Sequence, residues 1–219
     1  MMIKKQITLI LFLFALMGNA QTKAYISNQS YNLKYVDITI DDLVITIDNN
    51  GQVINFNSID SDFSIDYYDN NILDKENFRK IKSIGNLSVE YWDGFSQNAE
   101  SFGKIKSIGN IKFDYWDRFD NEKSGKIKQI GNLSIDYWEK DIIDNSRFGK
   151  LKSIGRLSID YGTKDITNDS HYKKLVKFGS IDLKYWDDKV FDKNKFGKLK
   201  SIDGNSKEIA VVLLNSNSD

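Results

Sequence analysis

The chain has 219 residues, in which 31 basic side chains balance 31 acidic ones, and it contains neither cysteine nor proline. A balanced charge provides no basic stripe for nucleic acid, so we expect no nucleic-acid partner. The lack of cysteine excludes disulfide bonds and lipid attachment through a cysteine, which leaves stability to packing and backbone pairing. The lack of proline favours a sheet-rich chain, because proline cannot donate to a strand ladder.

The first twenty residues have the pattern of a secretory signal peptide. Lys4 and Lys5 form a positive segment, Ile7 to Met17 is an apolar run, and Gly18-Asn19-Ala20 places small residues before a cut at Gln21. The apolar run is shorter than the roughly 20 residues that a bilayer requires, and no second run of that length follows. We therefore expect cleavage near Ala20, a secreted or periplasmic location, and a mature chain without a membrane span.

Residues 21–50 predict a lead-in of alternating strands before a repeat domain over residues 51–219. Asp37-Ile-Thr-Ile40 and Leu43-Val-Ile-Thr-Ile47 alternate apolar and polar side chains with the period of a half-buried strand. At the other end, Ile209 to Leu214 is an apolar run that predicts a capping strand, as expected for the last unit of a repeat array.

A repeat of about 24 residues dominates the chain. Its opening position is held in turn by Gly51, Arg79, Gly103, Gly125, Gly149, Lys173 and Gly197. A tyrosine closes six of the seven units, at Tyr67, Tyr91, Tyr115, Tyr137, Tyr161 and Tyr185. All four tryptophans of the chain occupy the position after that tyrosine, at Trp92, Trp116, Trp138 and Trp186. A period of this size indicates a repeat architecture.

Each unit is predicted to be a β-hairpin, as in Lys80–Ile84 followed by Leu87–Trp92. The Gly85-Asn86 pair between the two strands is typical of a two-residue turn, because glycine accepts the positive φ that such a turn requires. This turn pairs Ile84 with Leu87 and Ser83 with Ser88, and it predicts Lys82 opposite Val89 and Lys80 opposite Tyr91.

The same register predicts that each tryptophan covers the glycine that opens its own unit, as Trp116 covers Gly103. In the fifth unit it places Gly149 opposite Gly162, which predicts a weak spot or bend. The eight to ten residues after each tryptophan are interpreted as connecting loops, with Phe95 and Phe119 packing back onto the sheet. Phe191 is expected to do the same.

The resulting fold class is all-β, a single-layer curled antiparallel β-meander of about seven 24-residue hairpin repeats. A parallel β-solenoid with coils of similar length is the alternative. It would stack identical residues, placing Lys104 over Lys126 and Asp114 over Asp136, and like charges at short range are unfavourable. The Gly-Asn turns also favour antiparallel hairpins.

Two hairpin-repeat families of bacteria resemble this chain. Ile47-Asp-Asn-Asn-Gly-Gln-Val-Ile54 resembles the YD repeat of Rhs-type proteins, and Tyr115-Trp-Asp117 followed by Gly125-Lys-Ile127 has the same ingredients with a longer loop. MORN-type repeats are similar in length and in their content of Tyr, Trp and Gly. The resemblance implies a β-hairpin in an extended or curled sheet that serves as a shell or interaction scaffold, and it carries over no catalytic residue.

Few residues suggest catalysis or metal binding, so we expect no enzyme activity, cofactor or metal. His171 is the only histidine and no cysteine exists, which leaves neither a nucleophile–histidine pair nor zinc ligands. Calcium could be held by Asp117–Asp120 or Asp187-Asp188, but neither matches a calcium-loop pattern, and turn chemistry explains these residues better. One carboxylate recurs in each unit, at Asp66, Glu90, Asp114, Asp136 and Asp160, as a structural repeat residue does and a single catalytic pair does not.

Three functions from different classes follow from this sequence. The first is an exported structural or protein-interaction scaffold, and the second is a glycan-binding module that uses the tryptophan column, defined as Trp92, Trp116, Trp138 and Trp186. Packing of these tryptophans within the sheet itself is favoured over ligand stacking. The third, a hydrolase using the recurring carboxylates, is the least supported. The partner is either an unknown protein or a surface glycan.

Overall fold

The structure, a computed structural model, describes residues 21–59, 63–70 and 72–215. The predicted signal peptide lies outside these residues. The described chain forms seventeen strands and three short 3-10 segments. The strands are β1 Thr22–Ile26, β2 Leu33–Ile40, β3 Leu43–Asp48, β4 Val53–Ser58, β5 Ile65–Tyr67, β6 Ile81–Ile84, β7 Leu87–Tyr91, β8 Ile105–Ile108, β9 Ile111–Tyr115, β10 Ile127–Ile130, β11 Leu133–Tyr137, β12 Leu151–Ile154, β13 Leu157–Tyr161, β14 Leu175–Phe178, β15 Ile181–Tyr185, β16 Leu199–Asp203 and β17 Ile209–Leu213. The 3-10 segments are Ile72–Asn77, Ala99–Ser101 and Arg118–Lys123.

The strands form two sheets. A long sheet of twelve strands runs in chain order from β5 to β16, and a small sheet of five strands has the order β17-β1-β2-β3-β4. Every pair in the long sheet is antiparallel, as in β6–β7 and β7–β8, which confirms the meander of hairpins and excludes the parallel solenoid. The long sheet is open, with free edges at β5 and β16, and it is neither closed nor strongly curled.

The chain reverses at each Gly-x pair of the long sheet, as the sequence predicts. Ser83 pairs with Ser88 and Ile84 pairs with Leu87 around Gly85, and Ile108 pairs with Ile111 around Gly109. The glycines adopt the left-handed backbone that the turn requires, with φ of 55° at both Gly85 and Gly109. All these reversals lie at one end of the strands of the long sheet, and the longer connections lie at the opposite end.

A β-bulge at the start of each hairpin corrects the predicted faces. Glu90 pairs with Ser107 and Tyr91 with Ile105, which leaves Lys106 as an extra residue. The bulge brings Ile105 and Ile108 to one face although they are three positions apart, and both are buried. The predicted pairs of Lys82 with Val89 and Lys80 with Tyr91 are therefore wrong. The bulged residues are Lys82, Lys106, Lys128, Lys152, Val176 and Lys200.

Tryptophan pairs with the glycine of the following unit, not with that of its own. The amide of Gly103 donates to the carbonyl of Trp92 at 2.8 Å, and the amide of Gly125 donates to that of Trp116 at 2.9 Å. The predicted pairing of Gly149 with Gly162 does not occur, because the amide of Gly149 donates to Trp138 and the amide of Lys173 donates to Gly162. Between the fifth and sixth units both members of this pair therefore differ from the other units. Gly162 stands at the tryptophan position, and Lys173 stands at the position of the opening glycine.

The lead-in strands form a second layer over the long sheet, so the protein is not a single-layer meander. The amide of Ile127 donates to Gly51 at 3.2 Å, and the amide of Leu175 donates to Tyr31 at 3.1 Å, so backbone bonds join the two sheets. Side chains of both sheets form one buried cluster, with Val36 and Ile45 from the small sheet and Ile108 from the long one.

The first and last of the seven predicted units are divided between the sheets. In unit one, β4 pairs with β3 in the small sheet whereas β5 pairs with β6 in the long sheet. In unit seven, β16 stays in the long sheet and the predicted capping strand, β17, pairs in parallel with β1. Five hairpins, β6 to β15, are thus complete within the long sheet. The atypical end units join the two layers.

Replacing Arg79 or Lys173 by glycine is expected to stabilise the protein. Both residues hold a left-handed backbone, with φ of 67° and 64°, at the position where the other five units have glycine. Relief of this conformation contributes about 1 kcal/mol, partly offset by the greater freedom of glycine in the unfolded chain. We expect Arg79→Gly and Lys173→Gly each to raise the Tm by about 1–3 °C in thermal unfolding followed by circular dichroism.

The matched control is Arg79→Ala, which removes the same exposed side chain but keeps a Cβ on a left-handed backbone. It should leave the Tm unchanged or lower it. An equal rise in Tm for Arg79→Ala and Arg79→Gly would show that removal of the arginine side chain, not the backbone, is responsible.

Candidate functional site

A column of tyrosines lies on the inner side of the long sheet, facing the small sheet at its centre. It consists of Tyr91, Tyr115, Tyr137, Tyr161 and Tyr185, and the last four are buried. Four of the five hydroxyls donate to the carbonyl of the first residue in the first strand of the same hairpin, as Tyr137 donates to the carbonyl of Ile127 at 2.9 Å. The exception is Tyr161, which donates to Asn49 of the small sheet at 2.7 Å. The column therefore fixes each hairpin and the contact between the layers.

A column of lysines links each unit to the next. It consists of Lys80, Lys104, Lys126, Lys150 and Lys174, and each ammonium donates to the carbonyl of the residue that opens the following unit. Each also lies over the ring of its own unit's tyrosine, with Lys126 4.7 Å from the centre of Tyr137. Such cation–π contacts stabilise by about 0.5–2 kcal/mol. The sequence shows this lysine in six of the seven units, with Gln52 at the same position of the first. Its contact with the next unit follows only from the observed register.

Burial shifts the pKa of both columns in the direction that favours neutral groups. Desolvation lowers the pKa of all five lysines in the column, to about 8 for Lys150, where the charge of nearby Lys173 acts in the same direction. Desolvation raises the pKa of all five tyrosines, to about 12 for Tyr91. The lysine–tyrosine network therefore serves the packing of the repeat.

The tryptophan column lies on the outer face of the long sheet, and its four indoles are half-buried. Three of the ring nitrogens donate to a carbonyl two strands further along the sheet, as Trp138 does to Ile159 at 3.1 Å. Cations lie over the rings, with the Arg147 guanidinium 4.0 Å and the Lys152 ammonium 5.4 Å from the Trp138 ring. These contacts agree with the favoured interpretation that the indoles pack on their own sheet.

The recurring carboxylates lie beside the tryptophans. Four of the five pair with cations of the repeat, and Asp114 accepts the amide of Tyr115 at 2.9 Å. Glu90 is 3.8 Å from the bulged Lys106, Asp136 is 2.7 Å from Lys123, and Asp160 is 3.3 Å from Arg147. Although burial opposes ionisation of Asp136, its hydrogen bond from Lys123 is the main cause of a lowered pKa. Carboxylates at the equivalent position of four units thus pair with cations of the protein itself, as expected of residues that serve the repeat.

The residues considered for metal binding have other roles in the structure. Among residues 21–59, 63–70 and 72–215, no group of three or more His, Asp and Glu side chains is arranged to hold a metal ion. Asp117 accepts the amide of Phe119 at 2.7 Å and Asp188 accepts the amide of Val190 at 2.7 Å, which is the turn chemistry that the sequence predicts. His171 lies in the loop before β14, on the wall of an outer-face cleft.

Five loops that connect successive hairpins, all at the same end of the strands of the long sheet, present apolar side chains to solvent. We call these side chains the loop tips: Phe95, Phe119, Ile142, Ile143, Ile166, Val190 and Phe191. Their exposed fractions lie between 77% and 101%. The prediction that Phe95, Phe119 and Phe191 pack back onto the sheet is therefore wrong.

Each loop is fixed by the same aspartate turn. Asp93, Asp117, Asp141, Asp165 and Asp188 each accept the amide of the residue two positions further along, at 2.7 to 3.0 Å. This hydrogen bond holds the tip outward, and it explains why the tips do not pack on the sheet. Successive loops are separated by two strand spacings, about 9.5 Å, so the tips form a row. An Asp-x-apolar pattern marks four of these loops in the sequence, whereas in the fourth loop Thr167 follows Asp165 by two positions and the tip is Ile166.

The geometry thus offers three repeated surfaces: the tryptophan column, the paired charges beside it, and the row of loop tips. No helix in the described part of the chain is long and apolar enough to cross a membrane. The resemblance to YD and MORN-type repeats stays a prediction. No protein-family model, no curated protein and no solved structure matches this chain.

Proposed function

We propose that this chain is an exported, non-enzymatic β-repeat protein that serves as a protein-interaction scaffold and binds its partner along the edge formed by the loop tips. Export rests on the signal-peptide pattern of residues 1–20. The scaffold role rests on a rigid two-layer framework whose recurring polar groups are engaged in holding the repeat together.

The row of loop tips is the observation that carries this proposal. Single exposed apolar residues are ordinary on protein surfaces, but a run of them in five successive loops is not. The aspartate turns also fix their direction, so little conformational entropy is lost when a partner covers them. Burial of one Phe or Ile side chain contributes about 1.5–3 kcal/mol, which is sufficient for several tips together to support a stable complex.

Charge indicates the chemistry of the partner. The loops cover residues 93–102, 117–124, 139–148, 163–172 and 187–196. They contain 13 acidic and 8 basic side chains, a net charge of 8 − 13 = −5, whereas the whole chain is balanced. Electrostatic complementarity therefore favours a partner protein that offers apolar pockets within a basic surface.

Glycan binding by the tryptophan column is the second candidate. The observation in its favour is that the indoles are half-buried and recur along an open face, so part of each ring is accessible. Against it, cations cover the rings and three ring nitrogens are occupied by backbone carbonyls. A soluble glycan that shifts the tryptophan emission of the protein at a saturating concentration would favour this candidate.

Removal of the aromatic tips is expected to abolish docking without affecting the fold. A photo-crosslinking amino acid at position 166, in cells that export the protein, should give a discrete adduct with one partner. The triple variant Phe95→Ser, Phe119→Ser and Phe191→Ser should reduce that adduct at least tenfold, because three of the anchoring side chains are lost. The free energy of unfolding should change by less than about 0.5 kcal/mol for each substitution, since these side chains are exposed.

The matched control changes the hairpin turns at the opposite end of the strands, with the substitutions Asn86→Ser, Asn110→Ser and Asn132→Ser. This variant should keep the adduct at its original level. The proposal is wrong if position 166 gives no discrete adduct, or if both triple variants reduce it equally.

A further inference from the structure

The tryptophan column is interrupted once, and a cleft lies at the interruption. In the fifth unit Gly162 occupies the tryptophan position, and a cavity of about 520 Å³ opens beside it. Its lining includes Arg147, Asp160, Val176 and Leu183. This volume lies within the range of small-molecule sites, roughly 300–1,000 Å³.

The groups that hold an indole elsewhere in the column have counterparts around this cleft. At Trp138, the ring nitrogen donates to the carbonyl of the residue two positions before the next unit's tyrosine, Ile159. For position 162 that residue is Leu183, which lines the cleft. A basic residue follows Trp138 and Trp186 by nine positions and lies over the ring, and nine positions after Gly162 stands His171.

Two replacements keep the cleft open. A lysine stands at the bulge in the other five units of the long sheet and covers the preceding tryptophan where one exists. In the sixth unit, which follows Gly162, the bulged residue is the shorter Val176. Gly162 cannot be enlarged, because a Cβ at this position would lie 2.6 Å from the carbonyl carbon of His171. The chain therefore cannot supply a ring of its own from this position.

We propose that this cleft binds a small anionic ligand with a planar ring of the indole class, which takes the place that an indole side chain has in the neighbouring units. The ring would lie on Val176 and donate its N–H to the carbonyl of Leu183. Of the three cations in the lining, Arg147 pairs with Asp160 and Lys184 pairs with Asp203 outside the cleft. Lys200 has no carboxylate partner among the described residues, which favours a carboxylate on the ligand. This inference is independent of docking through the loop tips, which lie outside the lining of the cleft.

Titration calorimetry with indole-3-acetate tests the proposal directly. The full mature chain should bind one equivalent saturably, and the cationic analogue indole-3-ethylamine should bind at least tenfold more weakly. Substitutions at Val176 should act in opposite directions. Val176→Trp places a ring on the floor of the cleft and should weaken binding at least tenfold, whereas Val176→Lys places a cation over the bound ring, as Lys152 lies over Trp138, and should keep or raise the affinity.

A second variant keeps the test independent of position 176. Trp138→Gly removes an indole from the column and should create a second site, raising the stoichiometry from one to two. Absence of saturable binding to the wild-type protein would overturn the proposal. Equal binding by the Val176→Trp and Val176→Lys proteins, with circular dichroism confirming that both are folded, would also overturn it.

Discussion

Raising the pH above about 10 is expected to unfold the protein steeply, because its buried tyrosines must ionise. Desolvation raises the pKa of Tyr115, Tyr137, Tyr161 and Tyr185 well above the value of an exposed phenol. In the unfolded chain these groups lose their protons near pH 10, whereas the folded state keeps them. The folded state then binds more protons, so the free energy of unfolding falls by up to about 1.4 kcal/mol per pH unit for each buried tyrosine.

The lysine column acts in the opposite direction at lower pH. Desolvation lowers the pKa of Lys150 to about 8, so between about pH 8 and the value of an exposed lysine the unfolded chain binds more protons than the folded state. Stability therefore rises with pH through this window. With the tyrosine effect above pH 10, we expect a maximum of stability in mildly alkaline solution and a sharp loss beyond it.

Urea unfolding followed by circular dichroism at intervals from pH 7 to 11.5 measures this profile. The matched variant Tyr137→Phe removes one buried phenol and its hydrogen bond to Ile127 but keeps the ring. Its stability should be lower at pH 8 by about 1 kcal/mol and should fall less steeply above pH 10, by about 1.4 kcal/mol per pH unit. Appearance of tyrosinate absorbance for all tyrosines near pH 10, while the fold persists, would contradict the burial of the column.

Local signals in the sequence predict the hairpins well because a two-residue turn is decided by the residues within it. Gly85-Asn86 sets both the reversal and the first two cross-strand pairs, and the structure has both. The register predicted for each hairpin is regular, although a sign of the bulge is visible in the sequence. Ile105 and Ile108 are three positions apart, a spacing that a regular strand places on opposite faces, and only an extra residue such as Lys106 brings both to the core.

The contact between the layers could not be predicted in the same way. The hydrogen bond from Tyr161 to Asn49 joins residues 112 positions apart, and no pattern within a single unit specifies it. The tryptophan pairing failed for a related reason. Within one hairpin the tryptophan and the opening glycine are equally far from the turn, which is why the sequence predicts that they pair. The bulge and the divergence of the two strands instead place Trp92 beside the opening glycine of the next unit, Gly103.

Replacing Gly51 by alanine is expected to be strongly destabilising, although the sequence does not distinguish this glycine from the other opening residues. Gly51 lies in the turn between β3 and β4 and contacts the long sheet. A Cβ at this position would lie 2.5 Å from Cζ of Tyr137 and still closer to its hydroxyl, and φ is 81°. Tyr137 is fully buried and cannot move aside, so we expect a loss of about 3 kcal/mol or more.

The matched control is Gly103→Ala, which separates backbone strain from the contact between the layers. Gly103 has a similar φ of 72°, but the nearest atom to its Cβ would be the flexible tip of Lys80 at 3.5 Å. This variant should lose only about 1 kcal/mol, since it has the left-handed backbone without the clash. The difference in urea unfolding free energy therefore measures how tightly the small sheet is held on the tyrosine column. Equal losses for the two variants would mean that the layers separate or shift readily, and that Tyr137 does not anchor one sheet to the other.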